Sequence, residues 1–244
     1  MVGAEPLVRV AVVIPTLNEA DAIGRVLDDL PTQHIAEVIV VDGGSTDATR
    51  EVAAGRGARV LVESRRGYGR ACLRGLEQAA DADVVVFLDG DYSDRPAELP
   101  RLLQPIREGR ADIVLGSRLQ TGVSGGAMPW HQVLGNRLGA ALIRALYGVP
   151  LTDLGPFRAA RGDVLRALRL SEMTYGWAVE LPTLGARHGY RVAEVPVSYH
   201  RRIGISKISG TAKGTLGAAW CILTGIILNR LRPRPRPGGA PPAA

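Results

Sequence analysis

A chain of 244 residues, 46% apolar and 22% charged, can bury a sizeable core and is too apolar to be a disordered protein. Its two cysteines, Cys72 and Cys221, are far apart and form no CxxC pair, which excludes a disulfide framework or a cysteine-rich zinc module and suits a reducing compartment. The net charge of +6 conceals a split: residues 1–112 carry 13 Lys/Arg against 19 Asp/Glu, whereas residues 113–244 carry 17 against 5, without the interleaved aromatics that nucleic-acid binding would need.

In chain order, Val- and Ile-rich runs predict strands over 8–14, 38–41, 58–62, 84–88 and 113–115. Helical spacing between them predicts helices over 21–30, 46–55, 68–80 and 97–107. The first apolar run is short, follows Glu5 and stops at Pro15, so it does not read as a secretory signal. Near-continuous apolar strands alternating with helices imply an α/β fold, a doubly wound and mostly parallel sheet covered on both faces. In the second half, helices are expected over 130–147, 162–168 and 175–188. A strand over 191–199 is interrupted by Pro196 and therefore belongs at an edge. The apolar stretch 215–228 is too short to span a bilayer and reads either as a core helix or as one lying in the membrane interface, anchored by Trp220 and the arginines from Arg230 on. The Pro/Arg- and Gly-rich tail after Leu231 reads as disordered.

Open parallel sheets bind ligands at the carboxyl ends of their strands, which gathers three polar segments on one rim. The fourth strand runs into Asp89-Gly90-Asp91. Two carboxylates that close repel each other, and a divalent cation, Mg²⁺ or Mn²⁺, relieves the repulsion while keeping open positions for phosphate oxygens. Taken alone, the pair is as readily a strand-end turn in which each Asp bonds locally. The first strand ends in Pro15-Thr16-Leu17-Asn18-Glu19, where Asn18 is a natural helix N-cap and Glu19 a favourable first-turn charge, or where a nucleoside meets exposed backbone and the Glu19 carboxylate. The second ends in Asp42-Gly43-Gly44-Ser45-Thr46-Asp47: Gly44 lets the backbone approach a ligand, Ser45 or Thr46 can cap the next helix, and Asp42 can accept from a base or ribose. Gly67-Tyr68-Gly69-Arg70 imitates a dinucleotide fingerprint but lacks its third glycine, and is read instead as one wall of the nucleotide pocket.

In the basic half, His200 to Lys207 is the densest cationic cluster, with Arg202 and Lys207 suited to phosphate and with Arg118 and Arg137 able to complete an anion clamp. No GxSxG, HExxH or P-loop is present, and the four histidines share no context, so a histidine-activated nucleophile has no support.

These segments, PTLNE at 15–19, VVDGGSTDATR at 40–50, FLDGDYSD at 87–94, GSR at 116–118, GNR at 135–137, DLGPFRA at 153–159, YGWAVE at 175–180 and RRIGISKISG at 201–210, together resemble the family 2 glycosyltransferases, closest to the dolichol- and polyprenyl-phosphate sugar transferases. The resemblance implies a GT-A, Rossmann-like fold. With the apolar segment and the tail read above, the chain divides into a catalytic domain over 1–210 (nucleotide-sugar half 1–116, acceptor half 117–210), a membrane-interface helix over 211–231 and the tail over 232–244. It implies donor contacts at Pro15, Thr16, Asn18, Glu19, Asp42, Gly44, Gly69, Arg70, Asp89 and Gly90, and Mg²⁺ or Mn²⁺ held by Asp89 and Asp91. Arg118, Arg137, Arg202 and Lys207 would hold the acceptor phosphate. If a base assists, Asp91 is the first candidate and Glu180 the second. Gly43 and Ser93 depart from the family pattern, which often has a second aspartate at the former position and sometimes a metal-binding side chain at the latter. The implied reaction is inverting transfer of a hexose from a GDP- or UDP-sugar to a polyprenyl or dolichyl phosphate at the cytoplasmic face of a membrane. A soluble or protein-bound acceptor, and a non-catalytic nucleotide-sugar binder, are the competing readings.

Overall fold

A computed structural model describes residues 8–120, 127–204 and 212–232. Lys207 and the tail beyond 232 lie outside the described residues, so the expectations attached to them are carried no further. In chain order the strands are β1 (Val10–Thr16), β2 (Glu37–Asp42), β3 (Arg59–Val62), β4 (Val84–Phe87), β5 (Ile113–Ser117), β6 (Arg158–Arg161) and β7 (Val192–Pro196). The helices are α1 (Ala20–Asp28), α2 (Thr49–Ala54), α3 (Tyr68–Gln78), α4 (Leu99–Arg107), α5 (Trp130–Tyr147), α6 (Gly162–Leu168), α7 (Trp177–Arg187) and α8 (Ala212–Leu231).

The strands form one sheet in the order β3-β2-β1-β4-β6-β5-β7, parallel except for β6, which pairs antiparallel with both β4 and β5. Alternation along the strands builds the two cores. Ala11, Val13, Val85, Phe87, Ile113 and Leu115 face the side covered by α3 and α5 to α8, while Val10, Val12, Ile14, Val84, Val86 and Val114 face α1 and α4. The predicted edge strand is confirmed as β7, parallel to β5, with Pro196 as its last residue.

Three features depart from the sequence expectations. β6 was not foreseen: its sequence Arg-Ala-Ala-Arg has little β-propensity, and it is a strand because β4 and β5 satisfy its backbone on both sides. The helix after β2 begins only at Thr49 and has no side-chain cap, since Ser45 is held by Asp42 and the Thr49 N–H instead donates to Asp47 Oδ1 at 3.0 Å. Asn18 does not cap α1; it sits at φ 51° and its Oδ1 accepts the Thr46 N–H at 2.8 Å, tying the end of β1 to the end of β2.

Candidate active site

The register of the sheet brings the predicted rim together. Thr16 of β1 lies opposite Asp42 of β2, and Val13 of β1 opposite Phe87 of β4, so the three polar strand ends stand side by side. The β1 and β2 ends are interlocked: Ser45 Oγ accepts the Asn18 N–H at 2.8 Å, and Thr49 Oγ1 accepts the Glu19 N–H at 2.8 Å. Asp42 is fully buried, and its carboxylate accepts from the Gly44 N–H at 3.1 Å, the Ser45 N–H at 2.9 Å and the Ser45 hydroxyl. It therefore shapes the 43–45 loop, in which the exposed Gly44 has φ +89°, a conformation glycine adopts without strain. Pro15 is half-buried and Thr16 buried beneath this loop.

Beyond β4 the chain turns sharply. A Cβ on Gly90 would stand 2.8 Å from Thr16 Cγ2, so only glycine lets the carboxylate turn close against β1. Asp89 remains partly accessible and accepts the Tyr68 hydroxyl at 2.8 Å. Burial and the neighbouring Asp91 push its carboxyl up to about 6, against the pull of Tyr68, Arg202 and Arg118. Asp91 is buried; its Oδ1 accepts the Ser93 N–H at 2.9 Å and the Ser93 hydroxyl at 2.6 Å, and its Oδ2 pairs with Arg202. The next residue, Tyr92, is held at φ 61°, an uncommon conformation for a side chain of that bulk.

The basic segment closes over this turn. His200 N–H donates to Ser93 O at 2.9 Å, Ile203 N–H to Asp91 O at 3.0 Å, and Asp94 and Tyr199 form an antiparallel bridge. Arg202 thus lies on the acidic rim, and Gly204 approaches the Glu19 carboxylate.

Arg118, at the end of β5, is buried and forks onto Asp153, with Nε to Oδ2 at 2.7 Å and Nη2 to Oδ1 at 2.9 Å, beneath the ring of Tyr199 at 4.9 Å. Burial opposes its charge, but Asp153 holds the guanidinium firmly protonated. Its charge is thereby largely matched within the protein. Arg137 is exposed on α5, where it lines a cavity of about 380 Å³ with Arg144 and with Leu119, Gln120 and Thr152, the sequence neighbours of Arg118 and Asp153. Glu180 is also engaged elsewhere: its buried carboxylate accepts the Ser171 N–H at 3.0 Å, the Glu172 N–H at 2.8 Å and Arg232 at 3.0 Å, so it fastens the 171–172 segment and the end of α8. Gly69 is packed against that same segment; a Cβ there would meet Glu172 O at 2.1 Å, and the Arg70 N–H donates to Met173 O at 3.0 Å. The glycines of this apparent fingerprint serve chain packing, with Tyr68 as the side chain they deliver to Asp89.

Sequence reasoning assigned no role in the site to Asp94, Asp153 or Tyr199, and did not foresee the Tyr68–Asp89 and Ser93–Asp91 hydrogen bonds. Ser93 and Asp94 lay in the FLDGDYSD motif and were open to notice; the pairing of Asp153 with Arg118 carried no local signal.

Asp89 and Asp91 fit a divalent cation in their chemistry: two neighbouring carboxylates, one pushed upward by burial and by the other. Among the described residues no cluster of three or more metal-type side chains converges, so the chain would supply two carboxylates and leave the other positions to diphosphate and water.

The family model "Glycosyl transferase family 2" matches residues 11–169. The dolichyl-phosphate hexose transferase of Haloferax volcanii is 39% identical over 84% of this chain and 88% of its own length. The undecaprenyl-phosphate mannosyltransferase of Micrococcus luteus is 36% identical over 84% and 90%. Among solved structures, glucosyl-3-phosphoglycerate synthase from Mycobacterium tuberculosis in complex with Mn²⁺, UDP and phosphoglyceric acid superposes with a TM-score of 0.73 at 27% identity, over 92% of this chain and 79% of that one. A parallel sheet with an antiparallel insertion, a paired-carboxylate turn on its rim and these relatives lead to one conclusion: the chain belongs to glycosyl transferase family 2 and is a glycosyltransferase of GT-A fold, near the polyprenyl-phosphate sugar transferases.

Proposed function

We propose that the protein moves a hexose, mannose or glucose, from a GDP- or UDP-sugar to a polyprenyl phosphate with inversion at the anomeric carbon, using Mg²⁺ or Mn²⁺ held by Asp89 and Asp91. The observation that carries this reading is the contact of Arg202 with Asp91, which sets a cationic segment directly on the acidic rim. Support also comes from the names of the Haloferax and Micrococcus relatives and from the Mn²⁺ and UDP bound by the mycobacterial synthase.

The chain's own groups divide the task. Pro15, Thr16, Asn18, Glu19 and the loop at the exposed Gly44 frame the nucleoside, and Asp89 and Asp91 face the diphosphate. When bound, the metal supplies Lewis-acid stabilisation of the departing nucleoside diphosphate. Arg202 steadies an incoming phosphate, whose second pKa near 6 makes it a dianionic nucleophile at neutral pH. Such a nucleophile needs aiming and charge neutralisation more than deprotonation, which accords with a rim poor in histidine and with Glu180 being engaged elsewhere.

A peripheral seat on the inner membrane face accords with α8. One side of this helix packs on α5 and α7 through Ile226 and Asn229, whereas Trp220, Leu223, Ile227 and Leu231 are exposed beside Arg230 and Arg232. No helix among the described residues is long and apolar enough to cross a membrane. The test is transfer of labelled hexose from a UDP- and GDP-sugar panel to a polyprenyl phosphate in anionic liposomes, with flotation of the protein. A protein that stays at the bottom and glycosylates a water-soluble phosphate would establish the second reading, which the phosphoglyceric acid bound by the mycobacterial synthase favours.

A further inference from the structure

Asp94 is the anomaly of the site. It is 2% exposed, and neither carboxylate oxygen has a hydrogen-bond partner, although a buried acid left unpaired is costly. It follows Asp91 by three residues, and burial together with the neighbouring acids pushes its carboxyl well above the usual carboxylate range. Its chain position is pinned by the bridge to Tyr199, whose ring in turn covers Arg118.

The surroundings narrow what could complete it. A phosphate is disfavoured by the surrounding acids Asp89, Asp91 and Asp153, and among the described residues Asp94 forms no metal-type cluster with them. Arg118, the nearest cation, is already bidentate with Asp153. A hydroxyl donor remains. The sheet order β2-β1-β4-β6-β5 then separates the two ends of a nucleotide sugar. The nucleoside loops belong to β1 and β2, the diphosphate carboxylates to the end of β4, and Asp94 lies beyond them toward Arg118 at the end of β5, on the side left for the sugar.

We propose that Asp94 accepts a hydroxyl group of the hexose being transferred and thereby sets which nucleotide sugar the protein uses. This rests on the reading that the donor is a nucleotide hexose. A site built to receive a hydroxyl discriminates strongly against an analogue that lacks it, because the buried acceptor is then left unpaired.

The experiment uses the full chain with Mn²⁺, the donor selected from the UDP- and GDP-hexose panel, and the monodeoxy analogues of that donor. The wild-type protein should prefer the parent over one monodeoxy analogue by about 10³-fold or more in kcat/KM. In Asp94→Ala that preference should shrink to within about threefold, through loss on the parent donor, while affinity for the sugar-free nucleoside diphosphate with Mn²⁺ stays within about twofold. Asp94→Asn, which keeps the shape and so the fold if Ala does not, should lose at least tenfold of the preference, because an amide fixes one donor and one acceptor position where a carboxyl can present either. Unchanged hydroxyl preference in either folded variant, a parallel loss of nucleoside diphosphate affinity, or a change confined to the acceptor KM would each overturn the assignment. Absence of any nucleotide-hexose turnover by the wild-type protein would instead defeat the functional reading, and this proposal with it.

Discussion

Asp89→Asn tests the electrostatics of the rim most directly. In the metal-free chain the Asp89 carboxyl is pushed from 3.8 to about 6, first by burial and then by Asp91. At 1.36 kcal/mol per pKa step, carrying its charge at neutral pH costs the folded state up to about 3 kcal/mol. Asparagine stands in for the protonated acid, so the variant should be more stable than wild type by about 1–3 kcal/mol at pH 7.5, or roughly 3–10 °C in Tm for a chain of this size. The pH dependence has a fixed sign. Between 3.8 and about 6 the folded chain holds more protons at Asp89 than the unfolded chain does, so stability from this group is full below 3.8 and lost as pH rises through 6. The gap between variant and wild type should therefore close near pH 4. Mn²⁺ with nucleoside diphosphate should stabilise wild type, by about 2.7 kcal/mol at a hundred times Kd, and leave the variant largely unmoved. Thermal and urea unfolding at pH 4 and 7.5, with and without that pair, give all four numbers. A variant no more stable than wild type at pH 7.5 without metal, or a gap that persists at pH 4, would refute the account of repelling carboxylates.

Three other perturbations follow from the same geometry. Arg202→Gln removes the cation on Asp91; calorimetry should show Mn²⁺ binding strengthened several-fold while transfer to polyprenyl phosphate drops by about 10²-fold, and weaker Mn²⁺ binding would contradict the pairing. Asp153→Asn strands the buried Arg118 guanidinium, and urea unfolding should register a loss of about 3–5 kcal/mol; a loss below about 1 kcal/mol would mean that Arg118 finds another partner. Gly69→Ala drives a methyl against Glu172 O, with an expected cost of about 1–3 kcal/mol and faster amide exchange in residues 172–174, so unaltered exchange there would argue against the packing role.

Much of the rim was legible before any coordinates. Near-continuous apolar runs and the helices between them specify parallel strands locally, and parallel strands deliver their carboxyl ends to one edge, so Thr16, Asp42 and Asp89 were bound to meet. The 84–88 run and the Asp89-Gly90-Asp91 turn speak for themselves because each residue's neighbours in sequence are also its neighbours in space. β6 was hidden for the opposite reason: Arg158–Arg161 is extended only because β4 and β5 flank it. The capping alternative for Asn18 fails because its partner, Thr46, sits on another strand end and competes with the helix cap that local propensity favours.

The amino-acid sequence by itself determined the chemistry available: carboxylates at strand ends in one half, guanidinium groups in the other, and glycines where backbones must approach. Tertiary structure decided how that chemistry is distributed, since a charged side chain's behaviour depends on what surrounds it in three dimensions. It matched Arg118 to Asp153, engaged Glu180 in fastening α8, brought Arg202 onto Asp91 across 111 residues, and buried the Asp94 carboxyl with no hydrogen-bond partner.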